Sequence, residues 1–214
     1  MKNVLMGIMS LLIITITIVL LYHFNNIPTK KYTNEDFNII PYKSTVDKDQ
    51  DGIDDQTDIL QSVKKYLKTN PKYKSKYYET GYPNDEFGVC TDVVAFGLKG
   101  AGYDLKELVN EDIKNDRENY SITTIDKNID FRRVRNLKVY FKKNTISLTT
   151  SLQEIDNWQG GDIVIFKNHI GIISDKRNKR GVPYVLHNAN PYQSSYEEDI
   201  LESRKDIVGH YRMS

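Results

Sequence analysis

The sequence predicts an α+β protein that begins with an apolar helix, and three observations lead to this prediction. Residues 4–21 are almost wholly apolar. Several segments in the middle of the chain place apolar residues at the three- and four-residue spacing of an amphipathic helix. The last third holds three short β-prone runs, residues 162–166, 169–174 and 182–188, which we interpret as an antiparallel meander.

Composition narrows the class of protein. The 214 residues carry 30 Lys and Arg against 29 Asp and Glu, a formal net charge of +1. A chain of this length suits one domain with a core of its own behind an N-terminal segment. The balanced charge gives no argument for nucleic-acid binding, and a single cysteine excludes an internal disulfide. We expect a monomer.

The apolar stretch predicts a membrane anchor. At about 1.5 Å per residue, a helix over residues 4–21 nearly crosses the hydrocarbon core of a bilayer. Residues 22–26 offer no small-x-small cleavage site, which favours an uncleaved anchor over a signal peptide. We therefore assign residues 1–24 to a transmembrane anchor, 25–43 to a polar linker and 44–214 to one domain outside the cytoplasm. Secretion after cleavage is the alternative, and Lys30 and Lys31 leave the orientation open.

The only cysteine lies at the start of a predicted helix. Val93, Val94 and Gly97 fall three, four and seven residues after Cys90, and Gly100 is a plausible stop. Unpaired N–H groups and the helix dipole at such a position favour a thiolate, so we predict a nucleophile with a lowered pKa. The alternative is a buried cysteine that only fills space.

Two histidines are predicted to face each other in the meander. If Ser174 pairs with Val182, His169 lies directly opposite His187, and directly opposed residues share a face of the sheet. His210 is interpreted as a half-buried polar side chain without a catalytic role.

Cysteine and facing histidines predict a catalytic triad without a carboxylate. His169 would take the proton from Cys90 and deliver it to a leaving amine, and His187 would orient His169. Asn188 is the fallback for the orienting role. The backbone N–H of Cys90 would stabilise the oxyanion. No cofactor is needed for this chemistry.

Residues 47–58 follow the pattern of a calcium-binding loop, with Gly52 at the position of the sharp turn. The predicted ligand positions are Asp47, Asp49, Asp51, Ile53, Asp55 and Asp58. Asp58 departs from the pattern, because it replaces a glutamate that binds through both oxygens. A helix over residues 57–69 follows. We predict a structural calcium ion; the alternative is a solvated acidic turn that caps this helix.

The middle of the chain offers further candidates. We predict a helix over residues 104–115 and a salt-bridged surface over residues 124–137. For residues 137–148 we predict a strand or irregular structure. An arginine cluster can also hold a carboxylate through paired hydrogen bonds. The candidate substrate-binding residues are Tyr82, Asp92, Asp130, Arg132, Arg133 and Asn188.

Several motifs together resemble the papain-like NlpC-type peptidases, and more closely the bacterial domain-of-unknown-function family 1287 within that superfamily. The motifs are Gly81-Tyr82-Pro83, Gly88-Val89-Cys90-Thr91-Asp92, Asn128-Ile129-Asp130-Phe131-Arg132-Arg133-Val134, His169-Ile170-Gly171-Ile172, His187-Asn188 and Gly209-His210-Tyr211-Arg212. The resemblance covers residues 47–212. It implies a papain-like fold, in which the cysteine helix packs on the antiparallel sheet that carries the histidines. Thr91-Asp92 replaces the Ser-Gly usual after the cysteine, which puts the substrate in question.

The resemblance also implies a substrate. We expect a membrane-tethered, extracytoplasmic cysteine peptidase or amidase that cleaves amide bonds in cell-wall (peptidoglycan) peptides. A thiol acyltransferase or lipid-directed hydrolase on the same scaffold is the enzymatic alternative. The non-enzymatic alternatives are a cell-wall ligand-binding module and a calcium-stabilised structural domain.

Overall fold

The computed structural model describes residues 2–23 and 30–213. Its α-helices are α1 (Lys2–His23), α2 (Asp55–Leu67), α3 (Cys90–Gly100), α4 (Leu105–Asn115), α5 (Lys127–Asp130) and α6 (Val134–Asn144). Its strands are β1 (Lys72–Tyr73), β2 (Phe87–Gly88), β3 (Ile146–Ser147), β4 (Ile163–Phe166), β5 (His169–Arg177), β6 (Pro183–Leu186), β7 (Glu197–Glu198) and β8 (Ile207–Arg212). The predicted α+β class is thus confirmed.

The N-terminal helix α1 is apolar, and its residues 4–21 are exposed. Its window Val4–Leu21 has a mean hydropathy of 2.8 and buries none of its residues against the rest of the protein. Within the described ranges it is the one helix long and apolar enough to cross a membrane. The helix is consistent with the predicted signal anchor or single-pass span.

The centre of the domain is a six-stranded antiparallel sheet with the order β3-β8-β4-β5-β6-β7. Strand β4 shows how both faces are covered, because successive side chains of a strand point to opposite faces. Ile163 and Ile165 belong to the core shared with the helices. Val164 and Phe166 belong to a second core around Trp158. A separate pair, β1 and β2, runs parallel and leads into Cys90.

The predicted linker is packed on the domain over its second half. Residues 24–29 lie outside the described residues. Tyr32 exchanges backbone hydrogen bonds of 2.9 and 2.8 Å with Arg177. The buried Arg177 side chain donates to Asn34 Oδ1 at 2.6 Å, and Gln159 accepts from Asn34 Nδ2 at 3.0 Å. From Lys31 onward the chain is therefore part of the domain surface and is not a free tether.

Helix α6 corrects the prediction of strand or irregular structure over residues 137–148. Leu137, Tyr140 and Phe141 are buried and lie at helical spacing, so one face of the segment packs into the core. Only Ile146–Ser147 is extended. The three predicted helices of the domain are confirmed as α2, α3 and α4. Asp104 caps α4 by accepting from the Lys106 N–H at 3.1 Å.

The pairing of β5 with β6 corrects the predicted register. Ile172 lies opposite Leu186 and Ile173 opposite Val185, with an irregularity before Arg177. The irregularity shifts the pairing relative to the predicted Ser174–Val182 partnership. Continued past Leu186, the observed register places His187 diagonal to His169. The two histidines still share a face, because the shift is by an even number of residues.

Helices α2 and α3 pack closely at Gly97, which gives a first prediction. A Cβ atom at Gly97 would overlap Cγ2 of the buried Val63. We expect Gly97→Ala to lower the free energy of unfolding by about 1–3 kcal/mol through overpacking. In a Val63→Ala background the same substitution becomes neutral or stabilising, since alanine is favoured over glycine in a helix by about 1 kcal/mol.

Urea denaturation followed by the fluorescence of Trp158, the single buried tryptophan, measures both free energies. An equal cost of Gly97→Ala in both backgrounds would contradict the packing explanation.

Candidate active site

Cys90 is the first residue of α3, as predicted. Val89 before it is extended, with φ −132° and ψ 179°, so the chain turns abruptly into the helix. The Asp92 carboxylate closes this turn by accepting from the Val89 N–H at 2.8 Å. The thiol is half-buried and packs against the edge of the main core.

The pKa of the Cys90 thiol is raised, whereas the sequence predicted a lowered pKa. Burial raises the pKa of Cys90 to about 11, opposed by hydrogen bonds from the backbone N–H groups of Ile170, Thr91 and Cys90 itself. The nearby Asp92 carboxylate raises it further. A lowered pKa was expected from the helix start alone, but desolvation of the thiolate outweighs the helix-terminal N–H groups. The resting group is therefore a neutral thiol.

His169 and His187 form a direct contact, which confirms that the two rings meet. His169 Nε2 and His187 Nδ1 are 2.9 Å apart, and the rings cross at 75°. His169 is 9% exposed and His187 is 2% exposed. Two imidazoles this close, and this deeply buried, fix each other's orientation.

Glu198, which sequence reasoning missed, places a carboxylate beside the histidine pair. Glu198, His187 and His169 thus form a series of three side chains. Glu198 Oε2 lies 3.1 Å from His187 Nε2. The carboxylate favours the tautomer of His187 with its proton on Nε2, because a carboxylate only accepts. With that tautomer His187 Nδ1 would accept, His169 Nε2 would donate and His169 Nδ1 would carry the free lone pair. Gln193 Nε2 also lies 3.4 Å from His187 Nε2, but it has closer acceptors in the carbonyls of Ser195 and His187.

His169 lies on the face of the sheet opposite to α3, the helix that begins with Cys90. Its ring stacks on Phe166 with 5.9 Å between centroids, on the face away from α3. The backbone N–H of the following residue, Ile170, lowers the pKa of the Cys90 thiol. No hydrogen bond joins the sulfur to the imidazole in the part of the chain that the structure describes. Burial, with His187 and Arg204 nearby, lowers the pKa of His169 to about 3, so the imidazole is neutral.

Asp92 and Arg132, both candidate substrate ligands, are bound to each other. Arg132 Nε lies 2.6 Å from Asp92 Oδ1, and Arg132 Nη2 lies 2.9 Å from Asp92 Oδ2. The two side chains are almost completely buried, and Arg132 also donates to the carbonyl of Lys76. This pair holds the start of α3 in place and does not present a charge to a ligand.

The other candidate substrate ligands are also engaged in structural contacts. The Tyr82 hydroxyl donates to Asp104 at 2.8 Å. Asp130 is fully buried and accepts from Arg133 at 2.7 Å. Asn188 Nδ2 donates to the carbonyl oxygens of Pro71 and Gly88 at 2.8 and 3.1 Å. Asn188 thus fixes the chain before Cys90, and His187 occupies the position of the orienting residue.

The arginine that lies near the histidines is Arg204. Its guanidinium stands 4.2 Å from the centroid of the Phe166 ring, the ring on which His169 stacks. Arg204 pairs with Asp206 at 2.7 Å, a partly exposed pair at the edge of the site. The sequence gives no local signal for this position, because the contact depends on the start of β8 running beside β4.

The predicted metal ligands form a separate group. One oxygen from each of Asp47, Asp49 and Asp51 lies within 4.8 Å of the others. The Ile53 N–H donates to Asp51 Oδ1 at 2.8 Å. Asp55 is turned inward, where it accepts from the Lys48 N–H and the Tyr103 hydroxyl.

The fold and site define an α+β domain with a half-buried cysteine at a helix start and a histidine pair on an antiparallel sheet. Residues 60–213 match the family model described as "Domain of unknown function (DUF1287)", and the chain belongs to that family. The Escherichia coli (strain K12) protein named "Uncharacterized protein YijF" is 36% identical over 161 residues, which cover 71% of this chain and 77% of YijF. No solved structure matches the chain.

The buried Asp92–Arg132 pair gives a second prediction. We expect Arg132→Met to lower the free energy of unfolding by about 3–5 kcal/mol, because it leaves the Asp92 carboxylate buried without a partner. The double variant Asp92→Leu/Arg132→Met recovers most of that loss. Arg180→Met, which breaks an exposed pair with Glu202, is the control and costs about 1 kcal/mol or less.

Urea denaturation measures the free energy of unfolding of the wild type and of the three variants. A double variant as unstable as the single Arg132→Met variant would show that packing, and not the unpaired charge, sets the cost.

Proposed function

We propose that this protein is a membrane-tethered cysteine peptidase or amidase with a papain-like fold, which cleaves amide bonds in cell-wall peptides. The observation that carries the proposal is the series Glu198, His187 and His169. His169, where the series ends, immediately precedes Ile170, whose backbone N–H lowers the pKa of the Cys90 thiol. The helix α1 would hold the domain at the outer surface of the cell membrane.

The geometry supports a division of roles. Glu198 and His187 leave the lone pair of His169 on Nδ1, so this atom is the base that takes the thiol proton as Cys90 Sγ attacks the carbonyl carbon. The same proton then passes from Nδ1 to the leaving amine. A water molecule, deprotonated by His169 Nδ1, releases the acyl group from the sulfur. The Cys90 N–H at the helix start stabilises the oxyanion in both steps.

The resting site contains a neutral thiol and a neutral imidazole, so the proton moves only when substrate is bound. His169 turns from Phe166 toward the sulfur in that state; catalytic hydrogen bonds in unliganded enzymes are often long or unformed.

A cavity beside the site suits a polar peptide. It has a volume of about 400 Å³ and lies between residues 70–73 and the loop 188–196. Its wall includes Lys72, Tyr73, Phe87, Asn190 and Gln193. In the sequence, Phe87 lies three residues before Cys90 and Asn190 three residues after His187. Amides, an ammonium group and aromatic rings suit a peptide with carboxylate groups.

A wall-digestion assay tests the proposal. The full-length protein in detergent is incubated with purified peptidoglycan, and mass spectrometry identifies released fragments with new amino groups. We expect release by the wild type, none by Cys90→Ala, and a kcat at least about tenfold lower for Glu198→Gln with KM unchanged, because His187 loses the charge that sets its tautomer.

Glu197→Gln is the matched control, since Glu197 is the neighbour of Glu198 in β7 and contacts Lys31 and Ser174 instead of His187. We expect wild-type turnover from it. Equal fragment release by wild type and Cys90→Ala would refute the proposal. Transfer of the acyl group to an added amine in place of water would indicate the acyltransferase alternative.

The raised thiol pKa gives a separate prediction for the unliganded protein. We expect the rate of Cys90 alkylation by iodoacetamide to rise about tenfold per pH unit between pH 7 and pH 9, because the thiolate fraction grows in that proportion below the pKa. Mass spectrometry of the alkylated peptide measures the rate. His169→Ala keeps the same slope, since the resting imidazole does not bind the sulfur.

A plateau in the rate near neutral pH, lost in His169→Ala, would contradict this prediction. It would show a preformed thiolate–imidazolium pair.

A further inference from the structure

We infer that a second cavity, which shares Tyr196 with the cavity between residues 70–73 and the loop 188–196, is a subsite for a carboxylate group of the peptide. This inference rests on the proposed function and adds a requirement for an acidic substrate. Two observations carry it. Tyr196 lines both cavities, and the second cavity combines an apolar floor with lysine side chains that lack an ion-pair partner among the described residues.

The second cavity, which we call the lysine cavity, has a volume of about 400 Å³. It lies between the end of α2 and the strands β5, β6 and β7, and its apolar floor includes Leu67 and Leu186. Both leucines are buried and belong to the core that the helices share with the sheet. The floor therefore has a fixed shape, onto which an aliphatic stem can pack.

Positive charge dominates the rest of this wall. Lys64, Lys68 and Lys176 line it, and Glu197 is the one acidic residue among the described residues that do so. Lys64 and Glu197 already bind partners of opposite charge outside the wall or at its rim, each at 2.6 Å. The ammonium groups of Lys68 and Lys176 make no hydrogen bond or ion pair within the part of the chain that the structure describes. Two positive charges are thus left for an anion.

The helix dipole explains only part of this arrangement. Lys64, Lys65 and Lys68 lie at the C-terminal end of α2, where cations are favourable. Lys65, however, does not line the cavity, and Lys176 comes from strand β5. Lysines from a helix and from the sheet therefore meet at one apolar cavity, which the dipole of α2 does not require.

Tyr196 connects the lysine cavity to the candidate active site. Its hydroxyl donates to the Pro71 carbonyl at 3.0 Å. Asn188 donates to the same carbonyl and to that of Gly88, two residues before Cys90. A peptide bound in the first cavity that continues past Tyr196 thus enters the lysine cavity.

The chemistry of the lysine cavity suits an acidic side chain or chain end of the peptide. Its aliphatic part would pack on the leucine floor, and its carboxylate would pair with the ammonium groups of Lys68 and Lys176. Lysine acts as a point charge on a flexible stem, so it can follow carboxylates at slightly different positions. A phosphate group carries the same sign of charge, and the experiment below separates the two.

Calorimetry on the full-length Cys90→Ala protein in detergent tests the subsite without turnover. The probe is one purified peptide fragment of peptidoglycan, either with free carboxylates or with its carboxylates converted to methylamides. We expect Lys68→Gln/Lys176→Gln in this background to weaken the Kd of the free peptide by about tenfold, since two partly exposed ion pairs are lost. The methylamide peptide binds both proteins equally weakly. Added salt weakens binding of the free peptide by the parent protein more than by the lysine variant.

Lys65→Gln is the matched control, because it removes a lysine from the same helix end outside the cavity, and it keeps the parent Kd. Equal affinity of the free peptide for the lysine variant and its parent, or no binding to either, would overturn the inference. Competition by inorganic phosphate, with no effect of converting the carboxylates, would assign the cavity to a phosphate group and overturn it as well.

Fragment release from peptidoglycan separates this inference from the proposed function. If the subsite is correct, Lys68→Gln/Lys176→Gln with Cys90 intact raises KM by about tenfold and leaves kcat unchanged. Release with an unchanged KM would overturn the subsite and leave the peptidase standing. Lysine-dependent binding of the peptide without release by the wild type would overturn the peptidase and leave the subsite as a binding site.

Discussion

The Asp162 carboxylate joins three parts of the chain that are far apart in sequence. It lies at the entry to β4 and accepts from Arg212 Nε at 2.7 Å, His210 Nε2 at 3.0 Å and Gln56 Nε2 at 2.9 Å. These donors come from β8 and α2, and His210 stacks on Trp158 with 3.8 Å between ring centroids. Because a buried carboxylate without partners is very costly, arrangements of the sheet and α2 that break these contacts are disfavoured. His210, interpreted from the sequence as a half-buried polar side chain, is fully part of this network.

The position of the candidate site follows from that arrangement. Asp162 fixes the start of β4, the hairpin after β4 places His169, and the packing of α2 on α3 places Cys90. A second buried carboxylate, Asp92, fixes the helix start through Arg132. The elements that carry Cys90 and His169 are therefore held by buried ion pairs, while the Cys90 thiol and the His169 imidazole themselves remain neutral.

Local patterns in the sequence were enough to predict the helix at Cys90, the strands that carry the histidines and the contact between them. Helix α6 was missed because charged residues obscure the helical spacing of Leu137 and Phe141. The register of β5 with β6 was wrong because the irregularity near Arg177 has no local signature. Glu198 escaped prediction for a related reason: β7 pairs with β6 across a long loop, and such pairing depends on the whole sheet.

The packing of residues 31–43 on the domain limits the distance between the domain and the end of helix α1. His23 ends α1 and Tyr32 is bound to Arg177, and these two residues are nine positions apart in the sequence. A fully extended chain covers about 3.3–3.6 Å per residue, so this surface of the domain stays within about 30 Å of the end of α1. With α1 retained in a bilayer, the domain would work only in a thin layer along the membrane.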